Sequence, residues 1–256
     1  MSPKTTVVTG AGTGIGKAIA LRLAAEGHSL ALMARNIERL EDTAKEARTA
    51  GAPTVTVHGC DIRHHSEVEE AFSAAAQALG PFSGLVANAG IGGANHPGEN
   101  DRFGDLVATN LVGTYHCFRA AQSHLSTGPE ARHMIAVSSI LGRFGVPGYT
   151  GYCASKTGIL GLVRALSLEV ASENIMVNAI CPGWVDTDMA QEGIDGMAKG
   201  MGVSRDEAHA IAMSAVPVGR MGKPAHIAGT VAWLMSDDAT GLTGQGIDIN
   251  GGAWMG

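Results

Sequence analysis

The sequence predicts an α/β protein of one domain, folded as a doubly wound parallel sheet. Three observations lead to that class. Short, uncharged, β-branched runs alternate with longer runs of helical periodicity along the whole chain. The first short run, Thr5-Thr6-Val7-Val8-Thr9, passes straight into a glycine-rich turn, Gly10-Ala11-Gly12-Thr13-Gly14-Ile15-Gly16, and then into a helical pattern. No internal repeat, low-complexity stretch or linker interrupts the 256 residues, a length that one α/β domain can hold. Strands alternating with helices in this way pair in parallel through right-handed crossovers.

Each element follows from its residues. Residues 5–9 form a short buried strand, and 17–25 set Ile19, Leu21 and Leu23 among helix-forming alanines. A strand at 29–34 precedes a polar-faced helix at 37–49, and a third strand at 54–58 precedes Cys60-Asp61-Ile62. A helix at 67–79 leads to a fourth strand at 84–87, which ends in Asn88-Ala89-Gly90. One long helix is expected over 103–125, carrying Asn110. The fifth strand, 133–137, runs into Ser138-Ser139, and a helix over 150–172 carries Tyr152 and Lys156. The sixth strand, 175–180, ends at Cys181-Pro182-Gly183. The last helix spans 225–235, and a final strand at 246–249 precedes Gly251-Gly252. Residues 188–216 are the one irregular region.

Composition narrows the function. Hydrophobic residues make up 45% of the chain and there are 36 glycines, which suits a large core with many tight turns. A net charge of −6 argues against a nucleic-acid or anionic-membrane surface. No apolar run reaches the ~20 residues that span a bilayer. Strand-like sequence starts almost at once, without a signal-peptide pattern, so a cytoplasmic location is expected. Cys60, Cys117, Cys153 and Cys181 are far apart and read as free, mostly buried thiols of a reducing compartment. The 10 histidines show no metal spacing, and His64-His65 reads as a solvated pair, so no metal is expected.

Two motifs carry chemistry. In a strand–glycine–helix unit the glycines let the backbone approach an anion, and the free N–H groups of the helix start face it. The spacing departs from Gly-x-Gly-x-x-Gly, because Lys17 stands where its last glycine would be. The second motif is Tyr152-Cys153-Ala154-Ser155-Lys156, with Ser139 thirteen residues upstream. Residues i and i+4 share a helix face. A phenol titrates near ~10 in water, and an ammonium held beside it should lower that value, which suits proton exchange with an alcohol oxygen. Tyr149 lacks such a partner, since Cys153 lies four residues after it.

These residues together resemble the short-chain dehydrogenase/reductase family, in its single-domain Rossmann-fold branch, over essentially the whole chain. Thr9-Gly10-x-x-x-Gly14-x-Gly16 is similar to the family's cofactor motif, and Asn88-Ala89-Gly90 to its strand-four motif, with Ala87 where a second asparagine is usual. Asn110, Ser139, Tyr152 and Lys156 match its catalytic tetrad, and Pro182-Gly183 and Thr187 its nicotinamide segment. The resemblance implies that Tyr152 exchanges a proton with the substrate oxygen, Ser139 hydrogen-bonds that oxygen, Lys156 lowers the Tyr152 pKa and holds the nicotinamide ribose, and Asn110 holds a relay water. An ordinary polar group of a kinked helix remains open for Asn110. The implied cofactor contacts are Gly10, Thr13, Gly14, Ile15, Gly16, Arg35, Asp61, Ile62, Asn88, Ala89, Gly90, Tyr152, Lys156, Pro182, Gly183, Val185 and Thr187.

Cofactor choice turns on the end of the second strand. Ala34 occupies the place of the acid that binds an NAD ribose, and Arg35 follows it. A carboxylate there would repel a 2′-phosphate, whereas a guanidinium grips it, so NADP(H) is expected over NAD(H). A solvated Arg35 and a turn-capping Asp61 stay open. The resemblance places a substrate lid at 188–216. There Met189, Met197, Met201 and Met213 among glycines suggest a mobile cover for a hydrophobic substrate, or methionines over the core in a loosely ordered loop. Residues 90–96, with His96, and Trp184 would line further walls. The expected activity is ketone reduction of the 3-oxoacyl or polyketide ketoreductase kind, on a small carbonyl substrate or an acyl thioester. An NAD-dependent alcohol or dihydrodiol dehydrogenase and a non-catalytic nucleotide sensor are the alternatives. The resemblance also implies a homotetramer or homodimer formed through the 103–125 and 150–172 helices.

Overall fold

The computed structural model describes residues 4–256. Its core is a parallel sheet of seven strands in the order β3-β2-β1-β4-β5-β6-β7. The strands are β1 (Thr5–Thr9), β2 (Ser29–Ala34), β3 (Val55–Gly59), β4 (Gly84–Ala87), β5 (Arg132–Val137), β6 (Ile175–Pro182) and β7 (Gly246–Ile249). All seven coincide with the expected strands to within two residues. Pro182, which has no N–H to donate, falls at the C-terminal end of β6 opposite Ile249.

Helices cover both faces. On one, α1 (Gly14–Ala25), α2 (Ile37–Ala50) and α9 (Pro224–Leu234) bury Ile19, Leu23, Leu40 and Val231 against Val8, Leu32 and Val86. On the other, α3 (His65–Leu79), α5 (Gly113–Gln122) and α6 (Thr150–Val170) bury Phe72, Phe118 and Val163 against Val7, Leu85 and Met134. With helices on both sides the central strands must be apolar on both faces, which is why they read as unbroken hydrophobic runs. The order of strands reverses between β1 and β4, leaving a crevice at their C-terminal ends where such sheets bind ligands.

Two expectations are corrected. The helix expected over 103–125 is broken into α4 (Phe103–Val107), a π-turn at Ala108–Val112, and α5, which ends at Gln122. The bulge lets Gly113 press on Ile62, where a Cβ would come within 2.7 Å of the Ile62 side chain. Thr114 Oγ1 satisfies the Asn110 carbonyl at 2.7 Å. Residues 188–216 are not irregular. They fold as α7 (Asp188–Met201) and α8 (Arg205–Ser214), which enclose a small core of Ile194, Ala198, Ala208, Ala212, Met213 and Val216. Gly202 ends α7 at φ +67°, and a reciprocal Ser204–Glu207 capping box starts α8.

Candidate active site

The glycine turn and the end of β4 are built as one piece. Thr9 Oγ1 accepts from the N–H groups of Asn88 and Ala89, each at 3.1 Å. The Asn88 amide donates back to the carbonyls of Thr9 and Gly10, at 3.0 and 3.2 Å. Gly10 and Gly14 have φ of +65° and +54°. A Cβ on Gly10 would meet Ala89 Cα at 2.8 Å, and one on Gly16 would collide with the Gly10 carbonyl. Asn88 is therefore a staple of the turn. Thr13 is exposed, its side chain caps nothing, and no acid occupies the first turn of α1, so the helix start offers unpaired N–H groups to an anion. These residues fit a dinucleotide pyrophosphate, with Ile15 half-buried behind the turn.

Arg35 is exposed at the end of β2, where an acid would sit. Arg39, in the first turn of α2, was not picked out by its spacing. A Cβ on Gly12 would lie 3.1 Å from Arg39 Cβ, so this side chain leaves the backbone directly beside the glycine turn. Among the described residues neither arginine has a carboxylate within ion-pair distance. Both fit a 2′-phosphate. Asp61 is engaged by Arg63, which donates to both carboxylate oxygens at 2.6–3.1 Å and through its own N–H, and those bonds hold Asp61 down to a pKa of about 2. The turn-capping reading of Asp61 is the one its contacts favour. Ile62 is buried against α5, and its carbonyl faces His116 Nδ1 at 3.1 Å.

The four residues of the expected tetrad converge at the C-terminal ends of β4 and β5. Ser139 caps a one-turn helix, Ile140–Gly142, through a bond from Leu141 N at 3.1 Å. Its neighbour Ser138 is occupied, donating to the Lys156 carbonyl at 2.8 Å, which leaves Ser139 as the serine facing Tyr152. Lys156 Nζ lies 5.6 Å from the centre of the Tyr152 ring and donates to the Val137 carbonyl at 2.8 Å. Asn110 is fully buried at the π-turn. Its amide exchanges two bonds with the Ile91 backbone, at 2.8 and 2.9 Å, and reaches Ser155 Oγ at 3.2 Å. The kinked-helix role of Asn110 is thus real. A Cβ on Gly90 would sit 3.0 Å from Asn110 Oδ1 and 3.6 Å from Lys156 Nζ, so both face the same pocket.

The electrostatics of the crevice bear on the expected lowering of the Tyr152 pKa. Burial pushes the Tyr152 phenol above its ordinary value, and the Ser139 hydroxyl pulls only partly the other way. Burial also pushes Lys156 down to about 8. The desolvation that raises the phenol also disfavours the ammonium meant to lower it, and here desolvation wins.

The far wall comes from the segment after β6. Gly183 N donates to Ile249 O at 3.0 Å, and a Cβ there would meet Asn250 Cα at 2.9 Å. Val185 is buried and bridges to Gly222. Thr187 caps α7 and lies against Gly14 of the glycine turn. Met189 Sδ would be 2.9 Å from a Cβ on Gly92, so α7 touches the loop after β4. Trp184 packs on Gly193. His96 is exposed. Cys153, beside Tyr152, is half-buried, and all four cysteines are free. Among the described residues no cluster could hold a metal and no helix is long and apolar enough to cross a membrane.

Known proteins share this arrangement. A family model described as Enoyl-(Acyl carrier protein) reductase matches residues 10–253. The chain is 33% identical over 255 residues to 3-oxoacyl-(acyl-carrier-protein) reductase FabG of Staphylococcus aureus strain Mu50, covering 98% of each. A crystal structure of actinorhodin polyketide ketoreductase with NADPH superposes with a TM-score of 0.91 at 35% identity, over 98% of this chain and 97% of that one. Levodione reductase superposes with a TM-score of 0.87 at 30% identity, over 97% and 96%. With its sheet order, its glycine turn and its tyrosine–lysine helix in place, the chain belongs to the short-chain dehydrogenase/reductase family.

Proposed function

We propose that the protein is an NADPH-dependent ketoreductase acting on 3-oxoacyl or polyketide-like carbonyl compounds. The observation that carries the reading is the meeting of Ser139, Tyr152 and Lys156 at one end of a crevice whose other end carries the unpaired Arg35. The names of the similar proteins, ketoacyl and polyketide reductases, one of them solved with NADPH, point the same way.

Bound NADPH would supply the hydride. The glycine turn and α1 would hold its pyrophosphate, and Arg35 with Arg39 its 2′-phosphate. Pro182, Gly183, Val185 and Thr187 would flank the nicotinamide, and Lys156 would bind its ribose. Tyr152 Oη donates a proton to the carbonyl oxygen as charge develops there, and Ser139 Oγ hydrogen-bonds the same oxygen. A phenol whose pKa is raised by burial is fully protonated at neutral pH, which is the form a reductase needs. Helices α7 and α8 form the substrate lid, with Met189 against Gly92 as the closing contact.

A homotetramer or homodimer is supported by the apolar residues that α4, α5, α6 and the π-turn leave exposed: Phe103, Val112, Tyr115 and Leu168. A cytoplasmic location accords with the free cysteines. The test is NADPH oxidation over a panel of ketones and acyl-thioester mimics, with Tyr152→Phe as control. The wild type should turn over at least one of them and Tyr152→Phe should lose ~10²–10⁴-fold in kcat. Equal rates would refute the mechanism. Fluorescence titration with NADPH and NADH separates this reading from an NAD-dependent alcohol or dihydrodiol dehydrogenase, and turnover separates it from a nucleotide sensor.

A further inference from the structure

We infer that Asn95 is a positioning residue for Tyr152: its amide supplies, from the loop after β4, the helix cap that α6 lacks at its own N-terminus. The inference rests on the reading of Tyr152 as proton donor.

Tyr149 stands at the N-cap position of α6, with φ −118° and ψ +29°, and its side chain caps nothing. A helix start without a cap leaves orphan N–H groups and frays. Here the Gly151 N–H is taken by Asn95 Oδ1 at 2.8 Å. The same oxygen lies 3.2 Å from Thr150 Oγ1, and Asn95 Nδ2 donates to Thr150 Oγ1 at 3.0 Å. The backbone joins in, since Asn95 N donates to the Gly148 carbonyl at 2.8 Å. Tyr152 is the next residue, still within the first turn that these bonds hold.

The remaining bond of the amide explains why asparagine is needed. Asn95 Nδ2 also donates to Asp101 Oδ1 at 2.9 Å, and that oxygen accepts from Phe103 N at 2.9 Å, capping α4. One side chain thus ties three segments together: the loop of Gly90 to Asn95, the helix that leads to Asn110, and the start of α6. It is only 5% exposed, in a loop whose other residues are exposed or half-buried. Space confirms the fit: a Cβ on Gly151 would lie 3.3 Å from Asn95 Oδ1 and 3.0 Å from Phe103 Cα. Cap and helix start are pressed together with no room for a side chain between them. A displacement of about 1 Å in a reacting group can cost on the order of 10²-fold in rate.

The test uses the full chain. Asn95→Ala should lower kcat by roughly tenfold or more. It should leave KM for NADPH within about twofold, because the glycine turn is untouched, and speed hydrogen exchange at the amides of residues 151–153. Asn95→Asp, which sets a carboxylate against Asp101, should be at least as damaging. Asn95→Asp combined with Asp101→Asn restores a donor opposite an acceptor between the two side chains, at the cost of the bond from Phe103 N, and should recover part of the lost kcat. An Asn95→Ala protein with wild-type kcat overturns the proposal. So does a loss of kcat with unchanged exchange at residues 151–153, or a reciprocal pair no better than Asn95→Asp. If Asn95→Ala does not fold, the reciprocal pair decides. Wild-type activity in Tyr152→Phe would instead overturn the donor role, while the exchange result would still report on the cap.

Discussion

Lys156 Nζ sits 5.6 Å from the centre of the Tyr152 ring yet donates a hydrogen bond to the Val137 carbonyl at 2.8 Å. The amine is thus anchored to the end of β5 and keeps its other hydrogens for the crevice. Burial moves it down to about 8, so it is charged below that pH and neutral above it. If the charged form supports proton delivery, kcat/KM for ketone reduction is flat at neutral pH and falls as pH rises through about 8. Lys156→Arg keeps its charge across this range and should remove that limb, although the longer, planar head lowers the plateau. A pH profile of both proteins checks it. The idea fails if the alkaline limb persists in Lys156→Arg.

Arg35 is the residue proposed to decide between nucleotides. With no carboxylate partner among the described residues, its charge is free for a 2′-phosphate. A hydrogen bond to a charged group is worth about 1.5–3 kcal/mol. Arg35→Ala should therefore weaken NADPH by roughly 10- to 100-fold. NADH, which lacks the phosphate, should change by less than about threefold, and Arg35→Asp should favour it outright. Fluorescence titration with each nucleotide measures both. Equal losses for the two would mean that Arg35 supports the fold of the turn rather than reading the phosphate.

Much of this was legible in the residues alone, for physical reasons. Strands buried on both faces leave uniform apolar runs, and β1 to β7 were found to within two residues. The order of Asn110, Ser139, Tyr152 and Lys156 along the chain is itself a readable pattern, and the fold brings these residues together. What escaped was of two kinds. The break at Ala108–Val112 goes with Gly113 closing on Ile62, a contact between segments far apart in sequence, and no local periodicity announces it. Asn95 and Arg39 meet partners that only the fold brings to them. The helices α7 and α8 are masked for another reason. Four glycines at 193, 196, 200 and 202 obscure the helical spacing of Ile194, Ala198 and Met201, although Ser204-x-x-Glu207 is a readable start signal.

Those glycines allow a test of the lid. A Cβ at Gly196 or Gly200 meets nothing within 4 Å, and both lie inside α7 with ordinary helical backbone. Glycine costs about 0.5–1 kcal/mol relative to alanine at such positions. Gly196→Ala with Gly200→Ala should raise stability by about 1–2 kcal/mol, read from the denaturant midpoint. If α7 must open to release product, the same pair lowers kcat while leaving NADPH affinity unchanged. Higher stability with unchanged kcat would place the motion elsewhere than α7.

At the N-terminal ends of the strands, opposite the crevice, two buried histidines are expected to respond to acid. His133 is buried on β5, and among the described residues neither of its ring nitrogens has a hydrogen-bond partner. Burial, aided by the Lys4 ammonium and opposed by Asp237, pushes its pKa down to about 4. His28, bonded to Thr6 Oγ1 at 2.9 Å, is lowered as well, chiefly by burial. A base with a depressed folded pKa stays neutral in the fold while the unfolded chain takes up a proton first. Stability is therefore fully present above the ordinary value of 6.5 and is lost as pH falls from there toward about 4. Each such group contributes a slope of at most about 1.4 kcal/mol per pH unit. His133→Leu fills the site without an ionisable group, so its denaturation free energy should fall less steeply between those two pH values, by up to that slope. Parallel curves for the two proteins would show that His133 is protonated in the fold and that the acid response arises elsewhere.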